Sequence, residues 1–111
     1  MPHLVIEHSR ALSLDINAKA LMNKVFQIVA DTGLFSPEAI KVRCLPYDTF
    51  RLEGQSQDFI HIELAILEGR SDDAKSHICD SLFATLKELF ESEKVQLTVY
   101  LNDMKAPFYR K

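Results

Sequence analysis

The chain has 111 residues, 47% of them hydrophobic and 26% charged, which is the length and composition of one globular domain. We therefore expect a single domain over residues 1–111 and exclude a multidomain enzyme. Thirteen Lys and Arg against sixteen Asp and Glu give a net charge of −3, so no overall positive charge attracts nucleic acid or an anionic membrane surface. No segment has the ~20 apolar residues of a membrane helix, and no signal peptide is visible. We expect a cytoplasmic protein that binds neither nucleic acid nor membrane.

The first half of the chain is predicted to form a strand, a helix and a second strand. Residues 3–7 are apolar and partly β-branched, which favours a short strand. Over residues 17–31 apolar side chains recur every three or four positions, which predicts one helix with one buried face. Asp15 or Asn17 can cap the start of this helix, and Gly33 is a plausible left-handed end to it. Residues 40–52 are predicted to return as a strand, in which Pro46 indicates an edge, a bulge or a strand end.

The second half repeats this order. Residues 59–67 form a second β segment, and Ser71, followed by Asp-Asp-Ala, is typical of a helix start. The helical pattern continues to about Glu91. Residues 95–101 alternate as a final strand, and we expect the polar segment 102–111 to be irregular.

The strand-helix-strand order therefore occurs twice, as an internal repeat over about residues 2–53 and 59–104. A right-handed crossover makes the two strands of each half parallel. The connection 53–58 is too short for a crossover helix, so the halves should meet through an antiparallel contact. This predicts an α+β fold with a four-stranded mixed sheet and both helices on one face. Because the other face also carries apolar residues, we expect an oligomer to bury it.

The sequence gives little indication of a metal-binding or nucleotide-binding site. The chain has no GxSxG, Walker or GxGxxG motif, which argues against the common hydrolase and nucleotide-binding classes. Its histidines lack zinc-binding spacing, so we expect no metal site; they are His3, His8, His61 and His77. Cys44 and Cys79 also lack such spacing, and we interpret them as buried thiols rather than a disulfide.

Pro2 is the chemically unusual residue. A small second residue normally permits removal of the initiator Met, which would leave the proline nitrogen as a free secondary amine. An α-amino group titrates near ~8, and desolvation together with nearby cations would lower that pKa. The neutral amine could then act as a base at physiological pH. Met-Pro is also a common chain start with no catalytic meaning, so a purely structural Pro2 is the alternative.

Three stretches of the sequence resemble one group of proteins. Residues 1–7, Met-Pro-His-Leu-Val-Ile-Glu, resemble the start of the 5-carboxymethyl-2-hydroxymuconate isomerase family, which belongs to the tautomerase superfamily. Residues 66–72, Ile-Leu-Glu-Gly-Arg-Ser-Asp, are similar to the strand-to-helix junction of 4-oxalocrotonate tautomerase. Val42-Arg43-Cys44 with Asp48 is similar to the second strand of that enzyme. The resemblance extends over nearly the whole chain, including Thr32-Gly33-Leu34-Phe35 after the first helix.

The resemblance implies a tautomerase fold of the macrophage migration inhibitory factor type, assembled as a homotrimer. It further implies a cofactor-independent isomerase that converts a small anionic dienol, 5-carboxymethyl-2-hydroxymuconate, to its 2-oxo isomer in homoprotocatechuate degradation. In that scheme Pro2 would act first as base and then as acid, assisted by Arg43. Arg70 would bind the far carboxylate; its alternative is a surface residue at a helix start. Phe108 would wall the pocket, although this match depends on a one-residue gap.

The two halves do not carry the same candidate residues. The second-half positions that correspond to Pro2 and Arg43 fall near Ile60 and Thr98, and the first-half position that corresponds to Arg70 falls near Leu12. We therefore expect one site per chain, completed across the two halves or between chains. Two alternatives stay open: a non-catalytic oligomeric protein that binds small molecules on the same scaffold, and a tautomerase acting on another 2-hydroxydienoate.

Overall fold

The computed structural model describes residues 2–14, 17–54, 57–90 and 94–111, and it confirms the repeated strand-helix-strand order. The first half consists of strand β1 (His3–Ser9), helix α1 (Ala18–Asp31) and strand β2 (Lys41–Tyr47). The second half consists of strand β3 (Asp58–Leu67), helix α2 (Asp72–Leu89) and strand β4 (Val95–Met104). Short 3₁₀ turns cover Arg10–Leu14, Pro37–Ala39 and Ala106–Phe108.

The strands form one mixed sheet in the order β2-β1-β3-β4. Strand β1 is parallel to β2, and β3 is parallel to β4, as a crossover in each half requires. The halves meet at the centre of the sheet, where β1 and β3 run antiparallel. The predicted α+β architecture is therefore confirmed.

Alternate residues of the central strands build the core. On β1 and β3 every second side chain is fully buried, because period-two alternation sends those side chains to the face covered by the helices. Each helix contributes an apolar stripe to the same core, as its three-and-four spacing predicts. The members of the core with the least exposure are Leu4, Ile6, Val25, Val29, Ile60, Ile62, Leu64, Ile66, Ile78 and Leu82.

The predicted helix signals have direct structural counterparts. The Asn17 side chain accepts a hydrogen bond of 2.8 Å from the Lys19 N–H and caps α1. Ser71 Oγ accepts one of 3.1 Å from the Ala74 N–H and caps α2. Gly33 follows α1 with a φ of 71°, the left-handed conformation that glycine adopts without steric cost. The predicted end of the second helix, Glu91, lies outside the described residues.

The predicted strand ends are wrong in three places, for the same physical reason. Strand β1 continues beyond the predicted residue 7 to Ser9, because β2 offers partners as far as Tyr47. Strand β2 ends at Tyr47, which pairs with Ser9, the last residue of β1, so residues 48–52 have no neighbouring strand there. Strand β4 continues to Met104 because β3 offers partners as far as Leu67. The predicted irregular tail is therefore partly incorrect. Pro46 is tolerated inside β2 because this strand lies at the edge of the sheet.

The face of the sheet opposite the helices mixes polar pairs with apolar side chains. Tyr47 donates to the Glu7 carboxylate, which raises the pKa of Tyr47 above its usual value. Asn102 Nδ2 donates to Glu63 Oε1 over 3.3 Å. Leu45 is 49% exposed and Tyr100 57% exposed on this face. Within the described ranges, no helix combines the length and apolar character needed to span a membrane.

Candidate active site

The sheet topology brings the start of the chain, the α1–β2 connection, the β3–α2 junction and the C-terminal segment to one end of the sheet. The Pro2 carbonyl accepts a hydrogen bond of 3.0 Å from the Lys41 N–H, which aligns the starts of β1 and β2. Because β3 runs antiparallel to β1, its last residues lie beside the first residues of β1, with Ala65 paired to His3. The Pro2 side chain is fully buried at this end.

Arg43 lies next to the start of β1. In the parallel register it pairs with Val5, so its side chain shares the face opposite the helices. Its Nη1 is 3.3 Å from His3 Nδ1 in a hydrogen bond, which brings the guanidinium to the residue that follows Pro2. The side chain is otherwise exposed and free to meet a ligand. The structure thus places Arg43 next to His3, the residue that follows Pro2.

Arg70 is held by the turn that follows α1. Its Nη2 donates a hydrogen bond of 2.6 Å to the Leu34 carbonyl, and its guanidinium carbon lies 4.8 Å from the centre of the Phe35 ring. Gly33 makes the turn that presents this carbonyl and ring. The Thr32-Gly33-Leu34-Phe35 stretch therefore fixes Arg70 at the same end of the sheet as Pro2. The contacts of Arg70 are with this turn rather than with Pro2 or Arg43.

Tyr109 is the residue that the sequence analysis missed. Its hydroxyl is 2.8 Å from His3 Nε2, and the two rings meet edge to face with centroids 5.9 Å apart. Phe108, the aromatic residue chosen from the sequence, is 85% exposed in the turn Ala106–Phe108. The Phe108 match depends on a one-residue gap, and an alignment shifted by that one residue selects Tyr109 instead.

Lys41, Arg43 and Arg70 place positive charge at this end of the sheet, which also carries the Glu68 carboxylate. Burial of His3, together with the charges of Arg43 and Lys41, lowers the pKa of its imidazole below the usual value. The same cations, with Arg70, favour a negatively charged ligand. Arginine suits a carboxylate because its planar guanidinium stays charged and offers two parallel donors.

A family model described as 5-carboxymethyl-2-hydroxymuconate isomerase matches residues 2–111, which is all but the first residue of the chain. The protein belongs to the 5-carboxymethyl-2-hydroxymuconate isomerase family. It is therefore an isomerase.

Individual relatives agree with this assignment. The chain is 27% identical over 110 residues to 5-carboxymethyl-2-hydroxymuconate Delta-isomerase of Escherichia coli, covering 94% of this chain and 87% of that protein. A crystal structure of a 5-carboxymethyl-2-hydroxymuconate isomerase from Deinococcus radiodurans R1 shares the fold, with a TM-score of 0.84, 24% identity and coverage of 99% of this chain and 87% of that one. A fused 4-OT described as an asymmetric trimer has a TM-score of 0.73 at 19% identity, covering 98% of this chain and 91% of its own.

The second half of this isomerase carries different groups at the corresponding positions. Ile60 is fully buried inside β3, where it pairs with His8 on one side and Leu97 on the other. The Thr98 hydroxyl is 2.6 Å from His61 Nδ1 in a hydrogen bond. Leu12 is buried and apolar. None of these three side chains offers the amine or guanidinium that the first-half Pro2 and Arg43 and the junction Arg70 provide.

Other reactive groups lie apart from the candidate site. Cys44 and Cys79 are free and only half-buried, and burial raises the pKa of each thiol. Both thiols are therefore more inert than an exposed cysteine. In the part of the chain that the structure describes, no three His, Cys, Asp or Glu side chains are grouped so that they could hold a metal ion.

Proposed function

We propose that this isomerase converts 5-carboxymethyl-2-hydroxymuconate to its 2-oxo isomer, in the breakdown of homoprotocatechuate, with Pro2 as the acid/base group. The proline nitrogen removes the proton of the 2-hydroxyl group, the electron pair moves through the conjugated diene, and the protonated nitrogen returns the proton to a carbon. The match of the family model from residue 2 to residue 111 is the observation that carries the proposal.

The reaction needs only a base with a suitable pKa and a positive environment. Moving one proton within the substrate changes no oxidation state, so we propose that no cofactor takes part. The proposal requires that Met1 is removed, because an amide nitrogen has no basic lone pair. The buried surroundings of Pro2 and the cations Lys41 and Arg43 nearby both disfavour an ammonium form of the mature N-terminus, which would keep the amine neutral.

Arg43 and Arg70 would contact different parts of a dienol that carries two or three negative charges. Arg43, next to the start of β1, would stabilise the negative charge that develops on the enol oxygen as the proton leaves. Arg70 would bind the far carboxylate, since the Leu34 carbonyl and the Phe35 ring fix its guanidinium at the same end. Phe108 would wall the pocket, and its 85% exposed ring is available to a site that a second copy of the chain completes.

We propose a homotrimer as the active assembly. Leu45 and Tyr100 are half-exposed or more on the face of the sheet opposite the helices, where a neighbouring subunit would cover them. A fused 4-OT of similar fold is described as a trimer, which supports the proposal.

Intact-mass measurement and an ultraviolet assay test the proposed base. The mature protein should lack Met1, and the dienol absorbance should decay faster with protein than without it. Pro2→Ala replaces the secondary amine with a less well matched primary amine and should reduce turnover more than about tenfold. Pro46→Ala, which lies on edge strand β2 and pairs with His8 at the opposite end of the sheet, is the matched control and should keep wild-type turnover. Retained Met1 or unchanged turnover of Pro2→Ala would remove Pro2 from the mechanism.

The relative rates on different dienols test the substrate. The carboxymethyl-substituted muconate dienol should be converted with a higher kcat/KM than simpler 2-hydroxydienoates, because each additional carboxylate gives an arginine a partner. A higher kcat/KM on a simpler 2-hydroxydienoate would assign the protein to that substrate instead. Binding of the dienol without any acceleration of its ketonisation would contradict catalysis and favour a binding protein on the tautomerase scaffold.

A further inference from the structure

A hydrogen-bonded chain, Arg43–His3–Tyr109, joins three elements beside Pro2, and the proposed reaction gives two of its members no role. Arg43 Nη1 lies 3.3 Å from His3 Nδ1, and His3 Nε2 lies 2.8 Å from the Tyr109 hydroxyl. Strand β2 supplies the arginine, β1 the histidine and the C-terminal segment the tyrosine. His3 is therefore the link between the candidate site and the end of the chain.

Donor chemistry fixes the protonation of this imidazole. A guanidinium has only donors, so Nδ1 of His3 must accept and therefore carries no proton. A neutral ring with a bare Nδ1 carries its proton on Nε2, which then donates to the Tyr109 oxygen. The geometry therefore requires a neutral His3 imidazole with its proton on Nε2.

The C-terminal segment has a second attachment near Arg70. The Ala106 N–H donates a hydrogen bond of 2.7 Å to Glu68 Oε2, and Glu68 lies in the Leu-Glu-Gly-Arg junction two residues before Arg70. The Tyr109 N–H donates to the Ala106 carbonyl over 3.3 Å, which closes the short turn between the two attachments. Residues 106–109 are therefore tied both to the strand that begins next to Pro2 and to the junction that carries Arg70.

We propose that His3 is a positioning residue: it holds the Arg43 guanidinium beside Pro2 and, together with Glu68, clamps residues 106–109 across the end of the sheet. Accepting from Arg43 restricts a long side chain that would otherwise rotate in solvent, so less conformational entropy is lost when the substrate binds. Donating to Tyr109 fixes the segment that carries Phe108. The kinetic part of this inference rests on the proposed function, whereas the tautomer does not.

The charged groups around His3 favour the neutral imidazole. On β2 the Lys41 and Arg43 side chains face it, on β3 the paired residue is the uncharged Ala65, and the C-terminal segment contributes the Tyr109 hydroxyl. Burial, Arg43, Lys41 and the charged amino terminus lower its pKa, which favours the neutral ring. Below that lowered pKa, a proton on Nδ1 would face the Arg43 N–H groups and break the hydrogen bond.

Nitrogen NMR on ¹⁵N-labelled protein tests the tautomer without any substrate. At pH 7 the His3 signals should show a protonated Nε2 and an unprotonated Nδ1, and His77, exposed on α2, provides reference signals. In Tyr109→Phe the Nε2 proton should lose its acceptor and exchange faster with water. A His3 ring that is charged at pH 7, or that carries its proton on Nδ1, would overturn the proposal.

Kinetics of His3 variants test the positioning. His3→Ala should lower kcat/KM about tenfold, because Arg43 loses its fixed orientation. His3→Asn places an acceptor oxygen where Nδ1 lies and should recover most of that loss, and it should also remove the acid limb that His3 contributes to the pH profile. The double variant His3→Ala, Arg43→Ala should be no slower than Arg43→Ala alone, because the histidine acts through the arginine.

The control is His77→Asn, which should leave kcat/KM and its pH profile unchanged. The positioning role is refuted if the fold-losses in kcat/KM of the two single variants multiply in the double variant. It is also refuted if His3→Ala keeps the wild-type kcat/KM. If the wild-type protein accelerates no dienol, the proposed function fails, and the NMR measurement still decides whether His3 has the inferred state.

Discussion

At the scale of single residues, the candidate site depends on how each arginine is held rather than on its presence in the sequence. Arg43 bonds to an imidazole, and Arg70 bonds to a carbonyl and stacks on a ring. Neither is held in an ion pair by a carboxylate among the described contacts, so each guanidinium keeps its charge available for an anionic ligand. By contrast, the guanidinium of Arg51 is already paired with the Glu53 carboxylate at 2.8 Å.

Truncation of the two arginines should separate binding from chemistry. Arg70→Ala should raise KM for a dicarboxylate with little change in kcat, because its bond to a remote carboxylate is the same in the ground state and the transition state. Arg43→Ala should raise KM and also lower kcat, since it loses the stabilisation of a developing charge. Steady-state kinetics measure both effects.

The matched control for both variants is Arg51→Ala, whose exposed ion pair with Glu53 lies in the connection between the halves. It should leave KM and kcat at wild-type values. If neither parameter changes in Arg43→Ala or in Arg70→Ala, the anion is bound at another place on the molecule.

At the scale of elements, the β3–α2 junction both stabilises helix α2 and carries a candidate site residue. Ser71 caps α2, Asp72 and Asp73 follow in its first turn, and Arg70 immediately precedes the cap. Acidic residues are favourable at the positive N-terminal end of a helix, whereas a guanidinium there is not. The contacts with the Leu34 carbonyl and the Phe35 ring compensate for that unfavourable position.

Ser71→Ala tests the junction as a structural element. The Ala74 N–H would lose its acceptor, and the free energy of unfolding should fall by about 1 kcal/mol. Urea denaturation followed by circular dichroism measures the change. Ser76→Ala, at an exposed position within α2, serves as the control and should change the stability by less than about 0.5 kcal/mol. Equal stabilities of the Ser71 and Ser76 variants would show that the cap contributes nothing.

At the scale of the whole molecule, the residues that the structure describes form no covering layer on one side of the sheet. The helices cover the other side, where Leu4, Ile6 and Ile62 of the central strands are inaccessible and the residues of the edge strands are partly buried. The uncovered side holds its polar groups in internal hydrogen bonds, such as Glu7 with Tyr47, and leaves Leu45 and Tyr100 exposed. Polar groups already paired within the chain cost little to bury, so this face suits contact with another subunit.

A charge on this face should prevent the assembly. Leu45→Lys places an ammonium group where we expect a neighbouring subunit, and the molar mass measured by light scattering should fall from that of a trimer to that of a single chain. Phe83→Lys is the matched control, because Phe83 is an exposed apolar residue on α2 and should leave the mass unchanged. A wild-type protein that is already monomeric, or a Leu45→Lys trimer, would contradict the proposed interface.

The sequence by itself determined the elements and their order, since these follow from local spacing. Apolar residues every three or four positions gave both helices, and the repeat together with one short connection predicted the mixed sheet. Ser71 marked the start of the second helix, whereas the sequence left the cap of the first open between Asp15 and Asn17. The strand ends were mispredicted because a strand ends where its neighbour ends, as Tyr47 does beside Ser9. That information lies in another part of the chain.

Only the tertiary structure decided which side chains meet at the end of the sheet. The resemblance gave Pro2, Arg43 and Arg70 as candidates, but not the Leu34 carbonyl that holds Arg70. His3 and Tyr109 are 106 positions apart, and no local pattern couples residues so distant in sequence. Their contact exists because the antiparallel pairing of β1 with β3, and the parallel pairing of β3 with β4, return the end of the chain to its beginning.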